Sequence, residues 1–257
     1  MQQEPSQAAL WDSIAENWRI QETGAKPVYE AIIATIDLTD KALLDVGCGT
    51  GFFLSLAAEQ GARIIGTDLA ESQLKVAQRY QPSATFITAS TEALPFEDGM
   101  FDYVVANNSV QFCPNPSKAL AEIYRVLKPG GKAIITLWDE PQKSDAFNYF
   151  KVFYAIADQP METSIPFNLS KKGMVNELLE KAGFQIEAAQ QVIYPRIYPD
   201  IDTALKGILA SGPAMNAIRS SNTETVSQGV TEVIQQFKQP DGSYTIHNAF
   251  VFTTAIK

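Results

Sequence analysis

The sequence predicts an α/β fold built on a doubly wound, mostly parallel sheet. Three observations carry this. Between residues 42 and 138, short apolar runs alternate with segments of helical spacing. The short runs are apolar without polar alternation, as in strands covered on both faces. A glycine-rich turn, "VGCGTGFF", joins the first such strand to a helix.

The elements follow in order. Trp11, Ile14, Ala15 and Trp18 share one face of a helix spanning about residues 10–20, and 26–36 reads as a second helix. Strands are expected at 42–47, 63–68, 84–90, 101–108 and 132–138. Helices are expected at 51–60, 72–80 and 116–127, the last stopped by "KPGG". Beyond Trp138 the pattern loosens. Residues 141–168 are mixed and hold an aromatic piece, "AFNYFKVFYAIA". Ser170 is placed as the cap of a helix, "KKGMVNELLEKAGF", that stops at Gly183. A strand at 185–194, two helices in 200–237 broken around "SSNTET", a turn at "DGSY" and a strand at 247–256 complete the chain.

Composition narrows the function. The chain has 257 residues, 46% hydrophobic and 19% charged, and reads as one soluble domain over 1–257. No run approaches the roughly 18 apolar residues of a membrane span. The N-terminal stretch lacks the basic start and apolar run of a secretory signal, so the expected location is cytoplasmic. The two cysteines are Cys48, inside the glycine turn, and Cys113, which fits a reduced compartment. His247 is the lone histidine, so no metal site is expected. Net charge is −9 and the longest basic run is Lys171-Lys172, which counts against a nucleic-acid partner.

Gly47, Gly49 and Gly51 open a helix after a buried strand, and Asp68 ends the next strand. Glycines there allow positive φ and close approach of a ligand to the backbone, and the acid can accept from a ribose diol. No Lys-Ser or Lys-Thr follows, which removes a Walker loop. The spacing G-x-G-x-G departs from the dinucleotide G-x-G-x-x-G, with Phe52 where that pattern needs glycine. Asp45 just before the loop would repel a pyrophosphate and suit a ligand carrying an ammonium and a sulfonium. S-adenosylmethionine is favoured over NAD on that ground.

Four separated motifs in order, "LLDVGCGTGFF", "GTDLAESQL", "ASTEALPFEDGMFDYVVANNSVQF" and "EIYRVLKPGGKAIIT", cover about residues 40–138. With them the chain resembles the class I S-adenosylmethionine-dependent methyltransferases. It looks most like their small-molecule branch, type 11, which includes quinone- and sterol-modifying enzymes. The resemblance implies a Rossmann-like sheet of seven strands, the last antiparallel beside the fifth, with a helical cap. It implies S-adenosylmethionine as cofactor, S-adenosylhomocysteine as product and no metal.

By the same resemblance, Asp45 and the loop of Gly47, Cys48, Gly49 and Gly51 hold the methionine part. Asp68 binds the ribose hydroxyls, Leu69 packs on adenine and Gln73 lies nearby. Ser90, Thr91 and Glu92 meet the adenine edge, with Ser90 where relatives commonly carry aspartate. Asn107 ends the fourth strand beneath the sulfonium, and Gln111 lies beyond it. Trp18, with Trp11, belongs to N-terminal helices (1–38) expected to act as a lid over the core (40–138).

Methyl transfer needs orientation and a dry pocket more than a universal catalytic side chain. The catalytic candidates are His247, as a base where the acceptor needs one, and Gln111, as a hydrogen-bonding partner of the substrate. Segments 140–170 and 199–242 are expected to cap the substrate, or to form a homodimer surface. The expected partner is a small, partly apolar acceptor. The alternative is a non-catalytic protein that binds S-adenosylmethionine or S-adenosylhomocysteine as a sensor or subunit.

Overall fold

β1 (Ala42–Val46) lies at the heart of the sheet because its side chains have no wet face: Leu43, Leu44 and Val46 are fully buried. In this computed structural model, which describes residues 11, 12, 14–161 and 165–257, seven strands form one sheet. β1 pairs in parallel with β2 (Arg63–Asp68) and with β4 (Phe101–Asn107). β3 (Thr85–Thr88) extends the sheet beyond β2, and β5 (Leu127–Trp138) extends it beyond β4. β7 (Tyr244–Ile256) inserts antiparallel between β5 and β6 (Gln185–Tyr198). The order is β3-β2-β1-β4-β5-β7-β6, with the antiparallel last strand that the resemblance implied.

Alternate residues along the central strands feed opposite faces. Leu43, Val105 and Ile134 pack with α2 (Lys26–Ile33) and α3 (Phe52–Glu59), through Ile32, Phe53 and Leu54. Leu44, Val104 and Ile135 pack with α5 (Pro116–Val126) and α7 (Met174–Lys181), through Leu120, Ile123 and Leu179. α1 (Ala15–Thr23) and α4 (Glu71–Tyr80) flank the glycine-turn end of the sheet. A separate core joins α6 (Phe147–Ile156) to α8 (Ile201–Leu209), α9 (Gly212–Ser220) and α10 (Thr223–Ile234). These last helices interrupt the chain between β6 and β7.

Four expectations are corrected. "KPGG" does not separate α5 from a later strand. β5 begins at Leu127, directly after Val126, and the motif forms an irregularity within it, where pairing shifts between Phe101–Leu127 and Tyr103–Lys132. Ser170 does not cap α7. Its hydroxyl donates to the Trp138 carbonyl at 2.7 Å, and Gly173, at φ +83°, holds the cap position. Residues 200–237 form three long helices rather than two. Asp200, Ser211 and Asn222 each accept from a backbone N–H three residues on, so each starts its own helix. β6 runs past residue 194 to Tyr198, since an edge strand tolerates Pro195. Residue 10, where the first expected helix begins, lies outside the described residues. No helix among the described residues is long and apolar enough to cross a membrane.

Candidate cofactor and acceptor site

The strand order reverses between β1 and β4, so their carboxyl ends diverge and leave a crevice. The glycine turn after β1 and Asn107 at the end of β4 border it. Gly49 has φ +54°, and a Cβ there would lie 3.0 Å from Glu22 Oε1 and 3.1 Å from Trp18 Nε1, inside the crevice. Gly51 has φ +74°, but its missing Cβ would meet Ala77 at 3.0 Å. One glycine keeps a ligand space open; the other lets the turn pack on α4.

The crevice is a cleft of about 280 Å³. Asp45, Gly47, Cys48, Gly49, Asp68, Leu69, Gln73, Ser90, Thr91, Asn107 and Trp18 all line it. Asp68 accepts from the Gly49 N–H at 3.0 Å and the Ala70 N–H at 2.9 Å, which fixes its carboxylate against the glycine turn. Leu69 is 47% exposed, an apolar side chain left open beside that carboxylate. Gln73 donates to the Trp11 carbonyl at 3.2 Å, and Asn107 accepts from the Thr136 hydroxyl at 3.0 Å. Trp11 also lines the cleft and meets Trp18 and Phe112 edge-on, at centroid distances of 4.9 and 5.4 Å.

The remaining sequence candidates stand apart from the cleft lining. Glu92 turns away, accepting from the Asn115 N–H at 2.8 Å. Gly51 faces α4, as above. Gln111 is buried, donates to Asn108 at 3.3 Å and receives Asn168 on its carbonyl at 3.1 Å. His247 lies on β7 with its side chain 56% exposed, 3.4 Å from Asp145. Burial pushes both thiols up, Cys113 to about 11 and Cys48 well above its ordinary value, so neither is an activated nucleophile.

Glu22 is the residue that sequence reasoning missed. It lies one helical turn after Trp18 on α1, and that i, i+4 spacing was the available signal. Its side chain is 5% exposed and accepts from the Thr50 hydroxyl, with the Arg19 guanidinium 3.8 Å away. Burial raises its pKa to about 7, against the pull of Thr50 and Arg19. Burial also raises Asp45 well above the carboxylate range, with Glu22 and Asp68 adding like charge, and one oxygen of Asp45 has no hydrogen-bond partner. Asp68 is raised by burial as well, opposed by the N–H groups of Ala70 and Gly49. Three carboxyl groups thus face one cleft with a single nearby guanidinium. A cationic ligand would favour the ionised forms of these carboxyl groups, and their oxygens can accept from a ribose diol. No metal-holding group of His, Cys, Asp and Glu occurs among the described residues.

A smaller chamber of about 80 Å³ adjoins the cleft and shares Trp11, Trp18, Glu22, Tyr29, Asn107, Asn108 and Phe112 with it. Its deeper walls come from Trp138 and Phe250 of the sheet, Tyr149 and Phe150 of α6, Arg196 of β6, and Ile208, Ser211 and Pro213 of the inserted helices. The inserted helices therefore wall the chamber next to the cleft.

Comparison with known proteins agrees with this architecture. The family described as a methyltransferase domain matches residues 44–135. The biotin biosynthesis bifunctional protein BioHC of Cellvibrio japonicus is 35% identical over 130 residues, 50% of this chain and 25% of that protein. The demethylmenaquinone methyltransferase of Renibacterium salmoninarum is 37% identical over 112 residues, 44% of this chain and 46% of that protein. The chain thus spans less than half the length of these two relatives in its match. The crystal structure of an S-adenosylmethionine dependent methyltransferase from Mesorhizobium loti superposes with a TM-score of 0.53 at 17% identity, covering 93% of this chain and 100% of that one. At that identity the likeness speaks for the fold. The domain match at residues 44–135 and the fold built around it make the chain similar to the S-adenosylmethionine-dependent methyltransferases.

Proposed function

We propose that the chain transfers a methyl group from S-adenosylmethionine to a small, partly apolar acceptor by in-line displacement. The observation that carries this reading is the carboxyl set of buried Glu22 and Asp45 and half-buried Asp68, facing a glycine turn in a cleft that adjoins an aromatic chamber. S-adenosylmethionine supplies an electrophilic methyl group on a sulfonium, and the protein's part is to hold and orient both reactants.

Asp68 would hold the ribose hydroxyls and Leu69 the adenine face, with Ser90 and Thr91 at the adenine edge. Asp45 and Glu22 would face the cationic end, beside the open backbone of Gly47 and Gly49. Trp11, Trp18 and Phe112 lie at the junction of cleft and chamber, where they exclude water. The acceptor enters the chamber, whose walls are mostly aromatic and aliphatic. A small molecule is favoured over nucleic acid by the net charge of −9. We place the reaction in the cytoplasm, without a metal ion.

Calorimetric titration with S-adenosylmethionine and with NAD tests the cofactor, and transfer of labelled methyl to an acceptor panel tests turnover. Saturable binding of S-adenosylmethionine and methylated product are expected. NAD binding without a response to S-adenosylmethionine overturns the reading.

A further inference from the structure

β6 carries Tyr194, Arg196 and Tyr198 on its inward face, while Ile193 and Ile197 point outward and are exposed. Arg196 is only 6% exposed and lines the chamber. Its hydrogen-bond partners are all uncharged. One terminal nitrogen donates to the Gln21 side-chain oxygen; the other donates to the Gln21 carbonyl at 3.0 Å and the Tyr194 hydroxyl at 3.1 Å. Nε has no partner and packs over Gly24. No ion pair among the described residues includes Arg196.

A buried guanidinium without a counter-ion is costly, on the order of several kcal/mol. The surrounding phenols give no relief as anions, because burial holds Tyr149, Tyr194 and Tyr198 protonated at neutral pH. A second feature of the same sign opens on the chamber. Ser211, the cap of α9, and Pro213 in its first turn line the chamber wall, so the positive end of that helix dipole borders the same space. The nearest carboxyl group in the lining is Glu22, at the junction with the cleft, where Thr50 and Arg19 engage it.

We propose that Arg196, together with the first turn of α9, binds a carboxylate group on the methyl acceptor. The acceptor is then a small organic acid with an apolar or aromatic body. The body packs against Trp138, Phe150 and Phe250, and the carboxylate supplies the charge that Arg196 lacks. A guanidinium in a dry chamber is suited to a planar carboxylate, and charge-assisted hydrogen bonds are the strong ones. This rests on the methyl-transfer reading for the identity of the neighbouring cleft.

The test uses the whole chain with the cleft filled by S-adenosylhomocysteine. All three tryptophans line the chamber, so quenching of their fluorescence reports occupancy. Benzoate, 4-hydroxybenzoate and hexanoate are titrated against their carboxamides. Acids are expected to bind about tenfold or more tightly than the matched amides, the scale of one charged hydrogen bond. Arg196→Gln should abolish that preference and leave S-adenosylhomocysteine affinity within about twofold.

Equal binding of acid and amide by the unaltered protein, or no binding of either, overturns the proposal. A loss of S-adenosylhomocysteine affinity in Arg196→Gln equal to the loss for the acids also overturns it, assigning Arg196 to the cofactor's own carboxylate. Should Arg196→Gln fail to fold, the acid-amide comparison in the unaltered protein decides alone. Failure of S-adenosylhomocysteine to bind sinks the methyl-transfer reading separately.

Discussion

Glu22 on α1 accepts a hydrogen bond from the Thr50 hydroxyl in the glycine turn, so α1 and that turn are joined through a buried carboxyl group. Its pKa of about 7 makes this joint sensitive to pH near neutrality. The ionised form favours a cationic ligand. Affinity for S-adenosylmethionine should therefore rise between pH 6 and 8, in a window of roughly one unit on either side of that pKa. Arg19 beside Glu22, and Asp45 and Asp68 across the cleft, set the size of the change. Calorimetry across that range should show the rise in the native protein and a smaller one in Glu22→Gln. Equal profiles refute the assignment.

The same group acts on stability with the opposite sign. A carboxyl whose pKa is raised on folding stabilises the native state below its unfolded value of 4.5, and that contribution is lost as pH rises through about 7. At pH 8 Glu22→Gln should raise the unfolding free energy of the ligand-free protein by roughly 2–3 kcal/mol. Denaturant unfolding at pH 5 and pH 8 should show the gain only at the higher value.

Asp68 holds the Gly49 and Ala70 N–H groups as well as the proposed ribose position. Asp68→Ala should weaken S-adenosylmethionine binding by roughly 1–3 kcal/mol, the worth of charged hydrogen bonds. Asp68→Asn keeps one acceptor for the turn and should lose less. Isothermal titration separates the two; an unchanged affinity in both takes Asp68 out of the site.

His247 touches neither the cleft nor the chamber lining and pairs with Asp145 at the surface. His247→Ala should leave the rate of labelled methyl transfer within about twofold, since its side chain is exposed and borders neither space. A loss of two orders of magnitude would return His247 to the catalytic candidates.

Phe153 is fully buried among α6 and the inserted helices, in a core distinct from those on either face of the sheet. Phe153→Ala should cost about 3–5 kcal/mol. Chemical unfolding measures the loss. S-adenosylhomocysteine titration under native conditions should show nearly unchanged affinity, because the proposed cofactor cleft draws no wall from Phe153.

Sequence and structure meet most closely where function is written in contiguous residues. The strand-turn-helix around Gly47–Gly51 and the acid at the end of β2 are local patterns, and the strand periods on either side place them. Glu22 and Arg196 escaped because their roles depend on elements far away in the chain that fold over them. Arg196 nonetheless left a trace: Tyr194, Arg196 and Tyr198 recur at every second position, the mark of one strand face, which an early strand end at 194 cut off. The third inserted helix was hidden for a different reason. The break at Asn222 was legible in "SSNTET", but Ser211 looks like an ordinary polar residue until its side chain is seen capping α9.

β6 and β7 remain paired up to Tyr198 and Tyr244, so everything between those residues leaves and rejoins the sheet at adjacent points. In topological terms α8, α9 and α10 form an oversized hairpin loop. Such a loop can be exchanged, lengthened or rewritten by evolution without altering the register of a single central strand. Under the proposed methyl-transfer reading, acceptor choice would drift from one descendant to another while the methyl donor stayed the same.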